Sequence, residues 1–92
     1  MKSQASLPTQ EAQRIAKRLY QHWKHKFEVS EQAHIFQIHM PDALVTLTAL
    51  ETQLEISIDT QRDDYTFLEN VVIDHLSRMA KQDCQATWTR TV

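Results

Sequence analysis

The chain contains no glycine. Glycine-rich phosphate loops of the Walker and dinucleotide types are therefore excluded, and nucleotide binding by those routes with them. The same absence predicts that turns with positive φ use Asp, Asn or Ser, at some steric cost. Cysteine occurs once, as Cys84, so no internal disulfide can form. Small secreted domains are usually stapled by disulfides, and a reducing cytoplasm is the expected location. No apolar run approaches the roughly 20 residues that span a bilayer. Met1–Pro8 carries one Lys and no apolar stretch, so neither a membrane partner nor a signal peptide is expected. Charge of one sign is also lacking, since the formal net charge is −2. A nucleic-acid partner is not expected, because neutralising phosphates needs a basic surface. No cofactor is implied by any motif.

What is present is an ordinary globular composition, 41% apolar over 92 residues. That suits a single domain, 1–92, and makes disorder of the bulk of the chain improbable on composition. Pro8 and Thr9 punctuate the start of a helix predicted over about Gln10 to Lys26, with Thr9 as N-cap. Ala12, Ile15, Ala16, Leu19 and Trp23 follow the helical period and make one apolar stripe. A second helix is predicted from about Gln61 to Lys81, with Thr60 and Asp63 at capping-box spacing. Leu68, Val71, Val72, Leu76 and Met79 form its apolar face.

Between the helices the period changes to two. Phe36, Ile38 and Met40, then Val45, Leu47 and Ala49, then Leu54, Ile56 and Ile58 alternate with polar residues. Phe27 and Val29 begin the same pattern, and Cys84, Ala86 and Trp88 repeat it near the end. The breaks are short, which implies antiparallel hairpins. The expected fold is α+β in two layers: an antiparallel meander sheet with two helices packed on one face, order (β)-α-β-β-β-β-α-β. The first strand is bracketed because residues 1–7 read either as an edge strand or as a frayed tail. The far sheet face should show Gln37, His39, Thr46, Thr48, Glu55, Ser57 and Thr87.

Helical phase singles out the histidines. At about 100° per residue, His22 lies at the edge of the first helix's apolar stripe, with His25 further toward the flank. Lys26 returns to the stripe if that helix lasts long enough. His75 falls among Leu68, Val72 and Met79, and Arg78 lies at the edge of the same face. Three readings fit. An inward imidazole can be structural, hydrogen-bonded to a carbonyl. Imidazoles with Lys26 and Arg78 nearby suit an anionic ligand or proton transfer. His22 and His25, one turn apart, with His75 completing the set, suit a metal. Cys84 reads as a small core residue. No complete catalytic set can be assembled, so an enzyme is not the first expectation.

Charge divides between the helices. Gln10–Lys26 holds five Lys/Arg and one Glu, and Asp59–Asp83 holds six Asp/Glu and three Lys/Arg. This is what two solvated faces look like, and it would also serve an acidic partner of the first helix.

Three segments carry a resemblance: His22-Trp23-Lys24-His25-Lys26, then Asp74-His75-Leu76-Ser77-Arg78-Met79-Ala80, then Trp88. With the order of elements, they make the chain resemble the bacterial domain of unknown function 2218 family, from about Ser6 to Trp88. The family pattern carries over to His22, His25, Lys26, His75, Arg78 and Trp88. It departs at Met79, where the family usually has Phe, and at Asp42, where Gly commonly follows the Pro. The resemblance implies no established activity. Some members are fused to, or neighbour, siderophore-interacting flavin reductases. It therefore implies a small binding or accessory domain with a link to iron and siderophore handling. A small anionic ligand or a protein partner is expected, on a monomer or a homodimer.

Overall fold

The computed structural model describes residues 1–91. The chain runs β1 (Lys2–Pro8), α1 (Ala12–Trp23), β2 (Glu28–Gln32), β3 (Ile35–Met40), β4 (Ala43–Ala49), β5 (Gln53–Thr60), α2 (Tyr65–Ala80) and β6 (Thr89–Thr91). All strand pairs are antiparallel, in the order β2-β3-β4-β5-β1-β6. Both helices cover one face of this sheet, as the single apolar stripe on each demands.

The period-two pattern sets the layers. Phe36, Leu47, Ile56 and Ala5 face one another across four strands, as do Ile38, Val45 and Ile58 across three. From above, α1 lowers Ile15, Ala16, Leu19 and Trp23 onto these rows, and α2 lowers Leu68, Val72 and Leu76. Each large side chain taken fully out of water contributes about 1.5–3 kcal/mol. The opposite sheet face presents Gln37, His39, Thr46, Thr48, Glu55 and Ser57 to solvent. A face this polar needs no covering layer.

Several local expectations are corrected. β1 is neither an edge nor a tail, because β5 and β6 flank it on both sides. The first helix stops at Trp23. The N–H groups of Lys26 and Phe27 both donate to the Trp23 carbonyl, at 3.0 and 2.8 Å, which closes a tight turn before β2. Lys26 therefore never returns to the apolar stripe. Thr9 does not cap the helix directly; its Oγ1 accepts the Glu11 N–H, two residues on, at 3.0 Å. Thr60 is likewise spent elsewhere. It ends β5, donates to the Asp42 carbonyl at 2.6 Å and accepts the Arg62 N–H at 3.0 Å, so α2 begins later, at Tyr65.

The final strand is also displaced. Cys84, Ala86 and Trp88 are half-buried and alternate with exposed neighbours, but the ladder starts only at Thr89. There it meets Lys2–Gln4 of β1. Alternation reports which side chains are covered and carries no information about whether the backbone is paired. Positive φ falls on Ala33 and Lys81, at 54° and 59°, not on Asp, Asn or Ser. Lys81 ends α2 in the left-handed conformation, and the N–H of Gln82 reaches back to the Ser77 carbonyl at 3.2 Å. Glycine ordinarily fills such a cap.

Candidate functional site

The two helices run antiparallel. Arg18 on α1 donates to the Met79 carbonyl of α2 at 3.1 Å, whereas His22 and Trp23, further along α1, meet His75, further back along α2. This juxtaposition makes the site. The imidazoles of His22 and His75 lie 5.5 Å apart between centroids, with their planes at 49°. The Trp23 indole is buried and stands 4.9 Å from the His75 ring. Phe27 packs edge-on against the other side of Trp23, at 6.0 Å. One exposed imidazole, one half-buried imidazole and a fixed indole thus share the surface seam of the helix pair.

His75 is oriented by its own helix. Its Nδ1 lies 2.7 Å from the carbonyl oxygen of Val71, one turn earlier. A carbonyl only accepts, so Nδ1 carries the proton and the neutral ring keeps its lone pair on Nε2. The exposed ring of His22 has no hydrogen bond to another side chain among the described residues. The pair therefore holds acceptor capacity that the protein does not use.

The other residues singled out by sequence do not join this pair. His25 is exposed in the turn after α1. Lys26 is exposed beside it, with its ammonium 5.5 Å from the centre of the Phe27 ring. Arg78 is exposed on the last turn of α2, and Trp88 is half-buried against the core. Among the described residues, no group of three or more His, Cys, Asp or Glu is placed to hold a metal ion. Two of the three candidate histidines meet and the third does not. The Cys84 thiol lies 3.8 Å from the Gln82 carbonyl, and the Cys84 N–H donates to Ser77 Oγ at 3.0 Å.

Sequence reading missed a second polar cluster. Glu69 on α2 is 2% exposed. Its carboxylate accepts from Ser3 Oγ at 2.6 Å and from Arg90 Nε and Nη2 at 2.9 and 2.6 Å. The Arg90 guanidinium also sits 5.3 Å from the centre of the Tyr65 ring. Hydrogen bonding from Arg90 lowers the Glu69 pKa from the ordinary carboxylate value, burial opposes that, and Ser3 reinforces it. The signal was available. Ser3 shares the parity of Ala5 and Leu7, Arg90 that of Ala86 and Trp88, and Glu69 the phase of Val72 and Leu76. Three polar residues stood at positions whose pattern marked them as inward.

A groove of about 590 Å³ opens on the far side of the sheet, where Gln4, Thr46, Glu55 and Ser57 face Gln85 and Thr87. Its walls hold one carboxylate and no cation, which does not suit an anion.

Among solved structures, the NMR structure of PA4090 from Pseudomonas aeruginosa is similar. It is 31% identical over 96% of this chain and 94% of its own, with a TM-score of 0.81. A family model described as an uncharacterized protein conserved in bacteria, DUF2218, matches residues 4–89. No curated protein matches. No helix among the described residues is long and apolar enough to cross a membrane.

Proposed function

The chain belongs to the DUF2218 family of uncharacterised bacterial proteins, and on that premise we propose that it is a small, non-enzymatic binding module whose ligand is read at the seam between α1 and α2. The observation that supports this is the meeting of His22 and His75, 5.5 Å apart and beside Trp23. A structural histidine needs no second imidazole, whereas a recognition surface gains from unspent polar atoms next to an immobile aromatic.

The ligand class proposed is an iron chelate of the siderophore type, the association that the family resemblance implies. Such a chelate is large and bears anionic oxygens. The His22 ring N–H can donate to these, the free Nε2 of His75 accepts from a hydroxyl or amide N–H of the same ligand, and a ligand large enough to extend beyond the pair meets the exposed Lys26 and Arg78 on the flanking turn and the last turn of α2.

The test is titration of the untagged protein with ferric siderophores, following the fluorescence of Trp23 and Trp88, with His22→Ala as the control for absorption by the ligand itself. Saturable quenching is expected in the parent chain and a weaker response in the variant. Identical curves for the two proteins up to high micromolar ligand would reject the reading.

A further inference from the structure

Among the described residues the Nε2 of His75 has no hydrogen-bond partner, and the His22 imidazole stands 5.5 Å from its ring centre. We infer that His22 and His75 form a two-imidazole site for a borderline divalent transition metal, of the class of Zn²⁺ or Ni²⁺, with its remaining positions taken by water or by a ligand. This rests on the reading of the helix seam as the binding site, but it does not need an iron chelate.

Three observations converge. The first is separation. Metal–nitrogen bonds of about 2.0–2.1 Å put each ring centre about 3.2 Å from the ion, so two imidazoles on a tetrahedral ion have centroids about 5 Å apart. The observed separation of the ring centres, 5.5 Å, is close to that spacing. The second is the tautomer. A ligating imidazole typically donates its other ring N–H to a backbone carbonyl or a carboxylate, which fixes the ring and raises the basicity of the ligating nitrogen. His75 already makes that bond, to Val71. The third is rigidity. His75 is half-buried against Trp23, and Trp23 is 5% exposed. Only the exposed His22 has to be ordered on binding, so little conformational entropy is lost.

The donor set also selects. Two neutral imidazoles with no carboxylate suit Zn²⁺ and Ni²⁺ and disfavour Ca²⁺ or Mg²⁺, which take oxygen ligands. With two protein ligands the coordination sphere stays open, as in a site that presents a metal to something else and unlike a closed structural centre.

Calorimetric titration of the untagged chain with Zn²⁺ and with Ni²⁺ tests this, beside His22→Ala, His75→Gln and His25→Ala. His22 is exposed, so His22→Ala removes a ligand without disturbing the core. The expected result is one site per chain, with affinity lowered at least about tenfold in His22→Ala and His75→Gln, since even the outer partners of a ligating imidazole carry that much. His25→Ala should bind as the parent does. Ni²⁺ should also broaden the ring resonances of His22 and His75 before those of His34 and His39. Absence of a one-to-one site, or equal affinity in the parent and His22→Ala, would overturn the assignment. So would an equal loss in His25→Ala. Metal binding without siderophore binding would leave this site standing and remove only the chelate, and the reverse result would do the opposite.

Discussion

Two polar clusters sit on the same helix, and they differ in how their hydrogen bonds are settled. At Glu69 every strong acceptor is answered. One guanidinium grips both carboxylate oxygens, and a serine hydroxyl takes a further lone pair. Near the seam with α1, His75 spends one nitrogen on Val71 and leaves the other without a partner among the described residues, on a ring beside a second imidazole. A saturated cluster holds elements together, here β1, α2 and β6. An unsaturated one near solvent keeps its bonding capacity for something outside the chain. Burial alone would have ranked them the other way, because Glu69 is the more deeply placed charge.

The comparison can be broken most forcefully at Glu69. Glu69→Ala leaves the Ser3 hydroxyl buried without its acceptor and frees β6 from α2. It should cost about 3 kcal/mol in urea unfolding, the low end for a broken buried pair, because Arg90 can return to water. The pH dependence follows from the lowered carboxyl. A depressed folded-state pKa gives stability that is complete above the unfolded value, about 4.3, and is lost as pH falls through the folded one. Acid titration of the parent should show that loss and Glu69→Gln should lack it. A parent curve that stays flat down to the acid limit would mean that the carboxylate is not held as described.

A smaller effect is expected at His75. His75→Leu keeps the apolar phase and should cost less than about 1 kcal/mol. His75→Asp places an anion against the buried Trp23, and should cost about 1–3 kcal/mol more. Equal melting temperatures for the two would show that the position is solvated. Smaller still is Lys81→Gly. It removes the left-handed strain at the end of α2 and should raise stability by up to about 1 kcal/mol, read as a higher urea midpoint at unchanged slope.

Pattern made most of the fold legible. Apolar spacing placed both helices, the four middle strands and the shared face, because burial acts on every third or fourth residue of one and every second residue of the other. It failed where one hydrogen bond decides an outcome. Thr60 looked like a helix cap but was already committed to Asp42. Ala33 and Lys81 took positive φ although neither side chain favours it. At the site, helical phase brought His22 and His75 to facing edges, and the structure joins them. It could not supply the stop of α1 at Trp23, which leaves His25 and Lys26 in the turn and apart from the pair. The Ser3–Glu69–Arg90 cluster was legible and unread, since a polar residue in an apolar phase is easily passed over as noise.

The place of β1 bears on how this protein is made. β1 precedes both of its neighbours in the chain yet lies inside the sheet, between β5 and β6, with Lys2 opposite Asp59 and Gln4 opposite Thr89. Neither neighbour exists until most of the chain has been synthesised. The hairpins of the middle can zip early from local turns, but β1 must wait, unpaired, for a closure with β5 that spans α1 and three strands. Until then β5, central in the finished sheet, stays a bare edge of the meander, which makes the partly folded state the chain's most exposed moment to chaperones and to misjoining with other copies.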